Sequence, residues 1–143
     1  FAAQVAEIEA GLRPPRISVG ALDVARDFSD VRDIVVGYVL ALTQGEPGEV
    51  YNLGAGRAHT VRQLLETLIA ASGVEVEVEQ DPARMRAVDV PLVIADCTRL
   101  RQRTGWQPVI PFDQSIRDVL DYWREQLRTG ASDPTPLGLR VTR

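Results

Sequence analysis

The sequence predicts an α/β fold, because helical and strand patterns alternate along its 143 residues. Three observations support this prediction: apolar residues at helical spacing, short runs of strand-forming residues between them, and glycine or proline at the junctions. The 45% apolar and 25% charged content is typical of a globular protein. We expect one domain over residues 1–129, incomplete at its N-terminal end, and a flexible tail over 130–143, where "GASDPTPLGLRVTR" has little to bury.

The first half of the chain predicts two helices and two strands. A helix over residues 1–10 ends at Gly11, "LRPPR" breaks it, and "ISVG" follows as a short strand. In "SDVRDIVVGYVLALTQG" a second helix is capped by Ser29 or Asp30 and ended by Gly45. Its apolar residues at helical spacing are Ile34, Val35, Tyr38, Val39 and Leu42. "GEPGEVYNLGAG" then indicates a turn, a short strand and a glycine-rich loop.

The second half predicts three further helices. Thr60 and Gln63 match a capping box, and the helix they start ends near Gly73. "VEVEVE" alternates valine with glutamate, which indicates a strand with one face in water, and "PLVIAD" is another short strand. "CTRLRQRTG" is a brief helix closed by Gly105. The last helix covers residues 113–128, and we expect it to bury Ile116, Val119, Leu120, Trp123 and Leu127.

The composition excludes several kinds of chemistry from this chain. All 16 basic residues are arginine, so there is no Schiff-base lysine, no phosphate-loop lysine and no Tyr–Lys proton relay. Cys97 and His59 are the only cysteine and the only histidine, too few for an internal disulfide or a tetrahedral zinc site, and we predict no metal. A single cysteine fits a cytoplasmic location. Scattered arginines among 20 acids, and apolar stretches too short for a bilayer, predict neither nucleic acid nor membrane as a partner.

Two arginine segments are the candidate binding elements. "DPARMRAVDVP" contains Arg84 and Arg86, and a guanidinium can clamp a diphosphate through paired hydrogen bonds worth about 1.5–3 kcal/mol each. The alternative is surface pairing with nearby acids, worth about 0–1 kcal/mol. "RDFSDVRD" places Arg26 in a loop before a helix, where an anion also meets backbone N–H groups. The alternative is that Asp27 and Asp30 simply offset Arg26 and a neighbouring arginine.

The remaining motifs favour structural roles. "GAGRAH" lacks the third glycine of a dinucleotide loop, because His59 stands there, and a tight turn explains both glycines. His59 lacks a nucleophile with an evident third partner, so it is interpreted as a surface histidine. Cys97, Trp106 and Trp123 are interpreted as packing residues.

Taken together, the segments resemble one family. "VGALDVARDFSDVRDIV", "GEVYNLGAGRAHTVRQLLETL", "DPARMRAVDVPLVIADCTRLRQRTGWQPVIPF" and "SIRDVLDYWR" occur in the order seen in extended short-chain dehydrogenases that act on nucleotide sugars. The resemblance is greatest to the GDP-mannose 4,6-dehydratases and the related GDP-4-keto-6-deoxymannose reductases. It implies that this chain is the small C-terminal substrate-binding domain of a Rossmann-type enzyme whose N-terminal dinucleotide-binding domain is absent here.

The resemblance assigns four substrate-binding residues. Arg26 approaches the phosphates, Arg86 clamps the diphosphate, Asp89 accepts hydrogen bonds from ribose hydroxyls, and Gly20 lies near the base. Ala87 and Val88 stand where relatives often carry proline before the acidic residue. No catalytic or cofactor-binding residue is assigned, because the family's Tyr-x-x-x-Lys motif is absent from this chain.

The resemblance also implies the parent's activity and partners. A dehydratase oxidises C4 with NAD(P), eliminates water across C5–C6 and returns the hydride, whereas a reductase only delivers hydride to a keto sugar. The NAD(P) would be bound by the missing domain, the substrate would be a GDP-sugar, and the parent would be a homo-oligomer. The alternatives are a UDP- or dTDP-sugar epimerase or dehydratase of the same superfamily, and a non-catalytic sugar-nucleotide-binding module.

Overall fold

The computed structural model describes residues 1–85 and 90–130. Within them helices and short strands alternate, so the predicted α/β class is confirmed. The helices are α1 (Ala2–Glu9), α2 (Val31–Gln44), α3 (Val61–Ser72), α4 (Thr98–Thr104) and α5 (Phe112–Thr129). The strands are β1 (Arg16–Val19), β2 (Ala25–Arg26), β3 (His59–Thr60), β4 (Glu77–Gln80) and β5 (Leu92–Val93). A short 3-10 helix, Pro82–Arg84, follows β4. Of the tail predicted over 130–143, all but Gly130 lies outside the described residues.

The main core lies between β1 and the helices α1, α3 and α5. Strand β1 pairs in parallel with β4, and over the described residues this sheet has only these two strands. The largest side chains at full burial come from all four core elements: Val5, Ile17, Val19, Leu65, Leu68 and Leu120. Each such side chain contributes about 1.5–3 kcal/mol to the free energy of folding, so this cluster dominates the stability of the domain.

Local sequence signals set the helix boundaries. The Thr60 hydroxyl accepts a hydrogen bond from the Gln63 N–H (3.0 Å), and the Gln63 side chain accepts one from the Thr60 N–H (2.9 Å), so the predicted capping box is confirmed. Gly73 ends α3 with φ at 70°, a conformation that favours glycine. Asp30, rather than Ser29, caps α2 by accepting from the backbone N–H of the residue two positions later.

A second sheet and a smaller core position the loops near Arg26. Strand β2 pairs antiparallel with β3 and parallel with β5. Cys97, Leu100 and Trp106 form a smaller buried cluster against α2, the loop after α2 and the loop before α4, which confirms packing roles for Cys97 and Trp106. Burial raises the pKa of the Cys97 thiol above its usual value. Trp123 is half-buried against the main core.

Several details differ from the sequence predictions. The strand predicted in "GEPGEVYNLGAG" does not form within the described residues. Val119, predicted to be buried, is 46% exposed. The "VEVEVE" strand begins only at Glu77. Val74 and Val76 pack on the core, while Val78 is 40% exposed. The apolar stripe of α2 faces outward. None of the helices described here could cross a membrane.

Candidate functional site

Arg26 lies beside the segment that leads into β5. Its guanidinium Nη1 donates to the carbonyl oxygens of Ala25 (2.8 Å) and Val90 (2.7 Å). The Ala25 N–H donates to the carbonyl of Pro91 (2.8 Å), and Arg26 is paired in register with Val93. The two-residue parallel pairing therefore fixes Arg26 next to the C-terminal end of the segment that contains Arg86 and Asp89.

Gly20 lies at the other end of the same segment. It follows β1, and a Cβ added there would lie 2.5 Å from the carbonyl oxygen of Arg84, so only glycine lets the 3-10 helix pack this closely. Asp81 caps that helix by accepting from the Ala83 N–H (2.9 Å), while its own N–H donates to Val19 (2.8 Å). Gly20 and Arg26, six positions apart in the sequence, thus lie next to the two described ends that border the Arg86–Asp89 segment.

Arg86 and Asp89 themselves lie outside the described residues, so their assigned roles stay predictions. Arg84, the other arginine of the segment, forms an exposed ion pair with Asp81 at 3.3 Å. For Arg84 the surface-pair alternative is therefore the better interpretation.

Asp27 connects three loops, a role that sequence analysis did not identify. Its Oδ1 accepts from the Ala55 N–H (2.8 Å) and the Ser29 hydroxyl (3.3 Å). Its Oδ2 accepts from the N–H groups of Gly56 and Ala95, both at 3.0 Å. One carboxylate thus joins the loop before α2, the glycine-rich loop and the loop before α4. These contacts also fix the backbone next to Arg26.

The glycine-rich loop is shaped around this carboxylate. A Cβ on Gly54 would lie 2.6 Å from Asp27 Oδ2 and 2.6 Å from the Ala95 Cβ, so the loop needs glycine there. From the other side the Cys97 thiol donates to the Gly54 carbonyl at 3.5 Å. In a dinucleotide loop the backbone N–H groups would bind phosphate. Here the anion is Asp27, which argues against NAD(P) binding at "GAGRAH" and agrees with the structural interpretation of its glycines.

Asp30 attaches the start of α2 to α5. Its carboxylate accepts from the Arg32 guanidinium (2.8 and 2.9 Å) and from the Ser115 hydroxyl (2.6 Å), and Arg32 also reaches Asp118 on α5 (2.5 Å). The Arg32 hydrogen bonds, together with that of Ser115, hold the pKa of Asp30 far below its usual range, although burial opposes this shift. The sequence-based pairing of Asp30 with an arginine of "RDFSDVRD" is confirmed.

An open cavity of about 530 Å³ adjoins these loops. Phe28, Arg57, His59 and Phe112 contribute to its lining. The His59 ring stacks on Phe112 with centroids 3.9 Å apart and planes 4° apart, so His59 is a half-buried packing residue rather than the surface histidine expected. Over the described ranges no group of three or more His, Cys, Asp or Glu side chains could hold a metal ion.

A protein-family model described as GDP-mannose 4,6 dehydratase matches residues 1–119. The chain belongs to this family. The family resemblance inferred from the sequence motifs is thereby confirmed, and the α/β fold corresponds to the C-terminal part of extended Rossmann-type enzymes.

The names of individual relatives refer to several nucleotide sugars. The chain is 42% identical over 127 residues to a GDP-6-deoxy-D-mannose reductase of Pseudomonas aeruginosa, covering 89% of this chain and 42% of the relative. It is 28% identical to the human GDP-mannose 4,6 dehydratase, and the match covers 78% of this chain and 35% of that relative. It is also 35% identical to a dTDP-glucose 4,6-dehydratase of Streptomyces antibioticus, and this match covers 80% of this chain and 33% of that relative.

Solved structures agree with this family assignment. The structure of RMD from Pseudomonas aeruginosa complexed with NADPH superimposes with a TM-score of 0.83 at 39% identity, covering 87% of this chain and 41% of that one. A UDP-glucose 4-epimerase from Thermotoga maritima with UDP-glucose superimposes with a TM-score of 0.73 at 30% identity. This match covers 86% of this chain and 38% of that one. The chain thus spans well under half the length of these relatives.

Proposed function

We propose that this chain is the substrate-binding part of an NAD(P)-dependent GDP-sugar 4,6-dehydratase, which converts GDP-mannose to GDP-4-keto-6-deoxymannose, or of the related 4-keto reductase. One observation supports it most: Gly20 and Arg26 flank the segment in which the family resemblance assigns Arg86 to the diphosphate and Asp89 to the ribose. The relatives that carry GDP in their names add to this support.

The proposed roles follow from charge and geometry. Arg86 clamps the diphosphate, because a planar guanidinium matches two phosphate oxygens at once. Arg26 adds positive charge beside the same segment and holds its C-terminal end through the hydrogen bond to Val90. Asp89 accepts from ribose hydroxyls, and the backbone around Gly20 lies near the base. These contacts use the binding energy of the nucleotide to hold the sugar in the orientation that the reaction needs.

The hydride chemistry belongs to another part of the full-length protein in this proposal. The chain has no lysine for a Tyr-x-x-x-Lys motif, and Asp27 occupies the N–H groups of its glycine-rich loop. NAD(P), which supplies and accepts the hydride when bound, is held by an N-terminal dinucleotide-binding domain. This chain by itself has no turnover, and the full-length protein is a cytoplasmic homo-oligomer.

Titration of the full-length protein with GDP-mannose tests the proposal. Arg86→Ala should raise the Kd by roughly 10- to 150-fold, since a charged clamp contributes about 1.5–3 kcal/mol. Arg84→Ala is the matched control, because Arg84 is exposed and paired with Asp81, and its Kd should stay within about twofold of the wild type. Equal affinities of the two variants would remove Arg86 from the site.

A UDP- or dTDP-sugar enzyme is the second candidate, favoured by the 35% identity to the dTDP-glucose 4,6-dehydratase. Competition of GDP, UDP and dTDP against the bound substrate distinguishes the two candidates. Displacement by GDP at the lowest concentration supports the GDP-sugar assignment, and displacement by UDP or dTDP supports the second candidate.

A further inference from the structure

The parallel pairing of β2 with β5 covers only two residues of each strand. Ala25 is in register with Leu92, and Arg26 with the residue after it. In a continued parallel ladder the next backbone hydrogen bond would join Asp27 and Ala95, because the bonds are evenly spaced along the two strands. A pairing this short makes few hydrogen bonds of its own, so the contacts at its end matter for the register of β5.

The side chain of Asp27 takes the place of that next ladder bond. The Ala95 N–H donates to Asp27 Oδ2 at 3.0 Å, where a continued strand would offer the Asp27 carbonyl oxygen instead. A hydrogen bond to an ionised acceptor is roughly twice as strong as one between neutral groups. The carboxylate therefore closes the β2–β5 pairing at least as firmly as the backbone bond that it replaces.

The glycine-rich loop supports the same contact from a second side. A Cβ added to Gly54 would lie 2.6 Å from both Asp27 Oδ2 and the Ala95 Cβ, so its backbone packs directly on the contact. The N–H groups of Ala55 and Gly56 donate to the two carboxylate oxygens at 2.8 and 3.0 Å. A different rotamer of Asp27 would break several hydrogen bonds at once, and the carboxylate is therefore held in one position.

This end of the pairing lies next to the residues that the proposed function places at the substrate. Arg26 directly precedes Asp27, and its guanidinium donates to the Val90 carbonyl at 2.7 Å. The stretch from Val90 to Ala95 directly follows the segment to which the diphosphate and ribose contacts are assigned. Two consecutive residues, Arg26 and Asp27, thus attach this stretch at both of its ends.

We propose that Asp27 is a positioning residue for nucleotide-sugar binding: its carboxylate holds β5 in register with β2 and thereby sets how Arg26 and the segment before β5 meet the diphosphate. The inference rests on the proposed function, because it concerns the same site. Asp27 acts without touching the substrate, since both of its oxygens accept hydrogen bonds from this chain and its charge would repel a phosphate. The alternative is that the carboxylate only stabilises the fold.

Titration of the full-length protein with GDP-mannose compares Asp27 with a matched carboxylate. Below the Tm of both variants, Asp27→Asn should raise the Kd by about 10-fold, the lower end of the loss expected for removing the diphosphate clamp itself. Asp30→Asn is the control, because that carboxylate also accepts from an arginine and a hydroxyl but joins α2 to α5 instead; its Kd should stay within about twofold of the wild type. Equal changes in Kd for the two variants would overturn the proposal.

A double-mutant cycle with Arg86 determines whether Asp27 acts through the diphosphate site. Once Arg86→Ala is present, Asp27→Asn should raise the Kd by less than about threefold, because the group that it positions is gone. The same factor in both backgrounds would mean a purely structural role and would refute the inference. An unchanged Kd for Arg86→Ala refutes the proposed function, whereas a weakened Arg86→Ala beside an unaffected Asp27→Asn refutes only this inference.

Hydrogen exchange of the wild-type full-length protein provides a test that needs no variant. GDP-mannose should slow exchange of the Ala95 N–H, the donor to Asp27, by a larger factor than it slows the control amides. The controls are the N–H groups of Val109 and Ile110, which donate to the buried carboxylate of Asp33 at 3.1 and 3.0 Å. Binding slows every amide that exchanges through global unfolding, so only the excess at Ala95 reports the end of the β2–β5 pairing. Equal slowing of the three amides would overturn the proposal.

Discussion

Replacing Asp27 by asparagine probes how three loops are held together. In the wild type each carboxylate oxygen accepts two hydrogen bonds, from Ala55 and Ser29 on one side and from Gly56 and Ala95 on the other. Asparagine keeps one oxygen and presents an NH2 group to the other pair of donors. Two donors therefore lose their Asp27 acceptor whichever way the amide is turned, although the Ala55 N–H also donates to the Ser29 hydroxyl oxygen (2.8 Å).

The magnitude follows from the number of lost bonds. Two charged hydrogen bonds at about 1.5–3 kcal/mol each give an upper range of about 3–6 kcal/mol. Because Asp27 is half-buried and Gly56 is exposed, water replaces part of this loss, and we expect the free energy of unfolding to fall by about 2–4 kcal/mol.

Urea unfolding measures the change, with Asp23→Asn as the control. The Asp23 side chain is 85% exposed and pairs with Arg62 at 2.9 Å, so its loss should cost no more than about 1 kcal/mol. Unfolding midpoints that coincide for the two variants would refute the reasoning, because the carboxylate of Asp27 would then hold the loops no better than a surface charge does.

Three further predictions concern single side chains. Gly54→Ala should destabilise the protein more than Gly48→Ala in the same unfolding assay, because a Cβ at Gly54 meets atoms at 2.6 Å, whereas Gly48 has open space and only its φ of 84° to accommodate. The wild type should have a higher Tm than Asp30→Asn, and this Tm difference should be largest above about pH 4 and shrink as the pH falls below it. The reason is that folding lowers the Asp30 pKa, so a Tm difference that widens in acid would contradict the prediction. Cys97 should react with a thiol reagent more slowly in the native protein than in urea, since burial raises its pKa and blocks access; equal rates would contradict its buried position.

Local signals made most of the helices predictable. The capping box at Thr60, the positive-φ glycines at Gly73 and Gly105 and the apolar spacing of α3 all act within one or two turns, so the sequence contains them directly. Strands β2 and β3 could not be predicted, because a two-residue strand has no periodicity and forms only through tertiary pairing. Periodicity also identifies the apolar stripe of α2. It does not say whether that stripe is buried within the chain or exposed, as it is in the structure.

The candidate site was predictable only where a family motif marked it. Gly20 and Arg26 were assigned from such motifs, and the structure brings them to the two ends of one segment, while their contacts with a ligand remain predictions. Asp27 had no such signal: its backbone partners are separated from it by 28, 29 and 68 residues, and an acid beside an arginine looks like an ordinary surface pair.

The carboxylate shared by three loops also bears on how substrate preference can change during evolution. Loops joined through one anion cannot shift separately, because moving any of them leaves N–H donors without an acceptor. Relatives that keep this anchor while accepting different sugars or bases would have to adapt through substitutions outside these three loops.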